Sequence, residues 1–135
     1  MDAGSLSLQN NDLLGNQALD GGGGVYVYET GLSAVNNIFG WTVDGGALLI
    51  ENSEGWAAPT LGYNTFFDNA DGDLGDLVLD EDSNLYLDPL LPGYILGGDP
   101  GEQSYALGLE SPCIDAGDPA LLDLDGSRSD VGLTG

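Results

Sequence analysis

The hydrophobic pattern of this chain is written in short related segments. Gly45-Gly46-Ala47-Leu48-Leu49-Ile50-Glu51 has counterparts in Gly23-Gly24-Val25-Tyr26-Val27-Tyr28-Glu29 and Gly75-Asp76-Leu77-Val78-Leu79-Asp80-Glu81. Each is a glycine turn, four residues that are mostly β-branched, aromatic or leucine, and a closing glutamate, which predicts a short strand entered through a tight turn. A second unit interleaves with these around Asn11, Asn37 and Asn64, spaced by 26 and 27 residues, each followed by apolar residues.

A period in the mid-twenties, two short strands per period and no helical pattern predict an all-β solenoid of about three coils. A sandwich of hairpins would need Asn-Gly or Asp-Gly linkers every 8–12 residues or so, a rhythm the chain lacks. Stacked coils lie about 4.8 Å apart, so the three asparagines are expected one above another at a corner, where asparagine tolerates left-handed backbone angles.

Strand parity follows from the most polar copy. Asp80 points outward, so Leu77 and Leu79 point in, and alignment places Val25, Val27, Ala47 and Leu49 in the core. Tyr26, Tyr28, Leu48, Ile50 and Val78 then form an outward strip, either covered by a loop or used for contact. Glu29, Glu51 and Glu81 are expected at one corner, relieved of mutual repulsion by solvent or by a bridging cation.

Composition changes the picture of partners. The 135 residues have room for one domain, with coils over 1–84 and a C-terminal closing segment over 85–135. The net charge is −22, from 23 acidic residues against the single Arg128, with no lysine or histidine. Such a surface repels nucleic acid and anionic membranes and suits a setting rich in salt or divalent cations. At 41% apolar, the chain is too hydrophobic for a disordered acidic tail. Cys113 is the lone cysteine and reads as a small buried thiol. No basic and apolar leader follows Met1 and no run approaches the ~18 apolar residues of a membrane span. The chain starts inside a repeat, so it is expected to be part of a longer parent chain carrying its own targeting signal.

Residues 85–135 carry the most specific pattern. Leu87-Asp88-Pro89-Leu90-Leu91, Ser111-Pro112-Cys113-Ile114-Asp115-Ala116-Gly117-Asp118-Pro119 and Asp123-Leu124-Asp125-Gly126-Ser127-Arg128-Ser129-Asp130-Val131-Gly132 follow in order. This series resembles the closing segment of bacterial right-handed parallel β-helix repeat proteins of the pectate-lyase-like superfamily. Cys113 stands where alanine is usual there, and Leu133-Thr134 replaces Ala-Tyr. Gly45-Gly46-Ala47-Leu48 and Phe66-Phe67-Asp68-Asn69 also resemble the repeats of polymorphic outer membrane proteins, though Trp41 stands at the equivalent of Asn69.

The resemblance implies a right-handed parallel β-helix and a secreted or cell-surface location, but it identifies a fold far better than an activity. Related lyases abstract a proton with arginine or lysine, often beside calcium. Here the sole such base is Arg128, better read as a fork holding Asp125 or Asp130. Related hydrolases use paired carboxylates, for which Asp68, Asp71, Asp73 and Asp76 are weak candidates in an acidic glycine-rich turn faintly like a calcium loop. Asp115, Asp118, Asp123, Asp125 and Asp130 form the candidate Ca2+ set, against the alternative that they cap turns. Tyr26, Tyr28 and Trp56, with Trp41 beside them, are candidate stacking residues for a carbohydrate; a protein partner is the other possibility. The functional expectation is a non-catalytic structural or binding module, with a fragment of a polysaccharide-degrading enzyme as the alternative.

Overall fold

The computed structural model describes residues 4–77 and 83–133. The expected strand residues Val78, Leu79, Asp80 and Glu81 lie outside them. Among the described residues there are eight strands: β1 (Gly4–Gln9), β2 (Asp12–Leu14), β3 (Val25–Tyr28), β4 (Thr30–Val35), β5 (Ile38–Gly40), β6 (Leu48–Glu51), β7 (Thr60–Gly62) and β8 (Thr65–Phe67). They form three sheets, ordered β1-β4-β7, β2-β5-β8 and β3-β6. Every strand pairing is parallel. The only helix among the described residues is a 3-10 turn at Pro100–Glu102. The architecture is therefore all-β and parallel, consistent with a β-solenoid.

The first two passes each contribute a strand to all three sheets, three strands per pass rather than two, and the third contributes β7 and β8 among the described residues. The Leu6–Leu14 run breaks into β1 and β2 at Asn10 and Asn11. A left-handed residue turns the backbone there in every pass: Asn10 (φ 53), Asn36 (φ 58) and Tyr63 (φ 56). The left-handed angle thus belongs to the residue before each repeat asparagine, not to the asparagine itself.

The asparagines do stack. Asn37 Oδ1 accepts the backbone N–H and side-chain amide of Asn11, each at 3.0 Å. Asn64 Oδ1 does the same for Asn37, at 3.0 and 2.9 Å. Asn84 Oδ1 does it for Asn64, at 2.9 and 3.1 Å. The amides also donate to carbonyls at Leu8, Ala34 and Leu61. Asn37 and Asn64 are fully buried, so these bonds satisfy groups that would otherwise be costly to bury. Asn84 was not expected as a rung, because only 20 residues separate it from Asn64.

The register corrects strand parity in the second glycine-led copy. Val25 pairs with Leu48 and Tyr28 with Glu51, a shift of one from the sequence alignment. Leu48, 2% exposed, and Ile50 therefore face the core, while Leu49 faces out beside Gly21 and Gly75. Val25 and Val27 face in as expected. The Gly21–Gly24 tract offers several equivalent ways to match Gly45-Gly46, and only backbone pairing selects one.

Phe39 and Phe66 centre the core, stacked at 5.0 Å with 7° between ring planes. Leu32, Ala34, Val27, Ala47, Leu48 and Leu61 pack around them. A second cluster forms on the outside of the β2-β5-β8 sheet, where Ile38 meets Leu91, Cys113 and Val131.

The closing segment covers the flank of the stack, reaching from the third pass back to the first. Thr65 of β8 bonds Cys113 at 3.2 Å, Gly132 N–H donates to Asn36 O at 2.8 Å, and Leu133 N–H donates to Asp12 Oδ1 at 2.9 Å. Two glycines of its motif are explained by contact. A Cβ on Gly117 would sit 2.5 Å from Ser129 O. One on Gly132, which also has φ 101, would sit 2.6 Å from Asp12 Oδ1. Side chains there would lift the segment from the sheet.

Candidate binding face and acidic clusters

The outer face of β3 and β6 presents the candidate ligand residues. Alternation along β3 buries Val27 and turns Tyr26 (52% exposed) and Tyr28 (63% exposed) to solvent on one face. Two residues along a strand separate the rings by about 7 Å. The Tyr26 hydroxyl donates to Glu51 Oε2 at 2.7 Å, which pushes the phenol above its ordinary range, with Glu51's charge and some desolvation adding to the shift. Glu51 is thus the ladder partner of Tyr28 and accepts from the Tyr26 hydroxyl.

Glu29 adjoins Glu51 through its backbone N–H, which donates to Glu51 O at 3.2 Å, but its carboxylate turns elsewhere. It sits left-handed (φ 48) after β3 and gathers the loop that follows β6. Ser53 N–H at 2.6 Å, Ser53 Oγ at 2.9 Å and the Trp56 indole N–H at 2.7 Å all donate to its carboxylate. The Ser53 hydroxyl first, then the indole, hold Glu29 below the ordinary carboxylate range. Trp56 is thereby half-buried and fixed at the end of the tyrosine strand. Glu29 was expected in solvent or beside a cation; the tether needs a loop whose course the sequence does not reveal.

The acidic turn candidates are engaged locally. Asp71 accepts Gly45 N–H at 3.1 Å and Asp73 accepts the Asn69 amide at 2.9 Å. Asp68, Asp71 and Asp76 are exposed, outside the dry pocket in which a general acid keeps its proton.

The C-terminal carboxylates also serve turns. Asp115 N–H donates to Asp130 at 2.7 Å, and Asp118 accepts Ala120 N–H at 2.8 Å. Asp125 accepts the Ser127 hydroxyl at 2.6 Å and its N–H at 2.9 Å, which hold it below the ordinary range. Partial burial, and then the charges of Asp123, Asp115 and Asp125, push Asp130 up, against the lowering effect of the Asp115 N–H. Among the described residues, no three acidic or cysteine side chains gather closely enough to hold a metal ion.

Arg128 departs from its expected role too. Its Nε donates to Gly117 O and its Nη2 to Ala116 O at 3.2 Å, with the guanidinium 5.5 Å from the centre of the Tyr63 ring. Its hydrogen bonds tie two stretches of the closing segment together, and its guanidinium meets the stack at Tyr63, instead of gripping Asp125 or Asp130.

Cys113 is fully buried, as expected, and burial pushes its thiol up. Asp12 went unremarked in the sequence. Its carboxyl is raised by burial, opposed by the Leu133 N–H, because the closing segment lies over it.

The cation question has a direct check. Melting the protein in EDTA, then in CaCl2 and in NaCl of matched ionic strength, is expected to give equal upward shifts, since screening of the −22 charge acts alike in both. A shift specific to calcium would reveal carboxylate bridging. No family model, curated protein or solved structure matches this chain.

Proposed function

We propose that this chain is a non-catalytic module of a secreted or cell-surface bacterial protein, a right-handed parallel β-helix that presents its β3–β6 face to a neutral glycan. The observation that carries this reading is the pair of exposed rings, Tyr26 and Tyr28, on one strand face beside the Glu51 carboxylate. Sugar rings offer C–H faces that stack on aromatic rings and hydroxyls that donate to carboxylates. The parallel ladders and the resemblance of residues 85–135 to β-helix closing segments support the solenoid part of the reading. The −22 charge makes a neutral glycan a better match than an anionic one. Trp56, tethered to Glu29, would border the same face.

Retention on laminarin, xylan and cellulose gels tests this. The Tyr26→Ala/Tyr28→Ala double variant should lose about 2 kcal/mol of binding, roughly 30-fold in Kd, at about 1 kcal/mol per ring. Its circular dichroism should be unchanged, because both side chains lie outside the core. Failure of the parent chain to be retained on any of the three, or equal retention of the double variant, rejects the reading.

A further inference from the structure

A groove of about 620 Å³ opens where the closing segment meets the second pass, lined by Trp41, Leu90, Pro92 and Leu109 together with Asp88 and Glu110. Its size is within the range of roughly 300–1,000 Å³ typical of ligand sites. Two of its walls are held in an unusual backbone conformation. Trp41 is left-handed (φ 53) at a corner where the neighbouring passes place Gly15 (φ 64) and Asp68 (φ 51), and Leu90 is left-handed as well (φ 53). Bulky residues rarely adopt such angles. The Trp41 ring is fixed by Tyr94 at 4.8 Å and Phe67 at 5.6 Å. Asp88 Oδ1 accepts Leu90 N–H at 2.8 Å, which leaves its other oxygen available. Leu109 is 99% exposed and Leu90 39% exposed, so the apolar rim is open to solvent.

Charge decides what such a groove would accept. The two carboxylates sit on an otherwise apolar lining, in a chain with one cationic side chain, and that Arg128 is occupied by the carbonyls of Ala116 and Gly117. An anionic ligand is repelled by the whole surface, whereas a cation is steered toward it. We infer that this groove docks a peptide segment in which an aliphatic or aromatic residue is flanked by lysine or arginine. The apolar side chain lies against Trp41 and Leu109, and the cations meet Asp88 and Glu110. This site is independent of the tyrosine face.

The test uses the whole chain and the peptide Ac-Lys-Leu-Phe-Lys-amide, with calorimetry for affinity and Trp41 emission in a Trp56→Phe background for location. Two control peptides, Ac-Gln-Leu-Phe-Gln-amide and Ac-Lys-Ser-Ser-Lys-amide, separate apolar from charge recognition. Saturable binding that changes Trp41 emission and weakens about tenfold with either control is the expected result. Leu109→Ser and Glu110→Gln, both at exposed positions, should each weaken it several-fold at unchanged melting temperature. The inference is overturned by an absence of saturable binding, or by equal binding of the Lys-Ser-Ser-Lys peptide, which would mean general attraction to an acidic surface. Affinity indifferent to both substitutions overturns it too.

Discussion

Replacing Phe66 by alanine is expected to destabilise the fold by about 3–5 kcal/mol, the usual cost of deleting a buried aromatic ring. Phe66 is 1% exposed, stacks on Phe39 at 5.0 Å and on Tyr86 at 5.8 Å, and so lies inside a column of rings from successive passes. Parallel in-register pairing places Phe39 and Phe66 one above the other, and the passes around a cavity there cannot close without breaking their ladders. For a chain of this size the melting temperature should fall by about 10–20 °C. Tyr28→Ala, on an exposed side chain, should cost no more than about 0.5 kcal/mol. Similar losses for the two variants would contradict the assignment of inner and outer faces.

The second large effect belongs to the asparagine ladder. Asn64→Leu keeps the side chain's approximate size but removes the acceptor for the Asn37 N–H, one of three acceptors of the Asn37 amide, and donors to Ala34 O and Asn84 Oδ1. These groups are buried and no water replaces the lost partner, so about 3–5 kcal/mol of stability should go, at about 1–3 kcal/mol per orphaned group. Asn11→Ala removes only the side-chain donor to Asn37 Oδ1 and keeps the backbone N–H that also donates there, so this half-exposed rung should cost about 1 kcal/mol. Urea unfolding of both variants measures the difference. Equal midpoints would mean that the ladder is not graded by burial.

Both expectations draw on features visible in the sequence to different degrees. The Asn11, Asn37 and Asn64 spacing was legible because successive parallel passes repeat the same hydrogen-bond problem at each corner. Asn84 was not, because the third pass is shortened and its spacing breaks. The tyrosines were placed outward by alternation once the Asp80 copy had set the parity. Leu48 and Leu49 were assigned to the wrong faces because a one-residue slip reverses every side chain, and a four-glycine tract supplies no register.

The acidic residues mark the limit of sequence reading most clearly. Asp115, Asp118, Asp123, Asp125 and Asp130 had a spacing suggestive of a cation loop, yet Asx-type turns use the same residues beside glycine and serine. Choosing between them requires knowing where each backbone N–H points. Asp125 is engaged by Ser127, Asp118 by Ala120 and Asp130 by Asp115. Likewise Arg128 was given acidic neighbours by proximity in sequence, while carbonyls and the Tyr63 ring receive it in space.

The sequence by itself determined the all-β class, the period, the corner asparagines and the outward tyrosines, because these depend on local geometry repeated along the chain. Tertiary structure alone decided the β3–β6 register, the path of residues 85–133 along the flank of the stack, and the groove at Trp41. Those arise where distant segments meet. The physical reason is that backbone periodicity fixes which way a side chain points, whereas what it points at depends on which other segment is brought there.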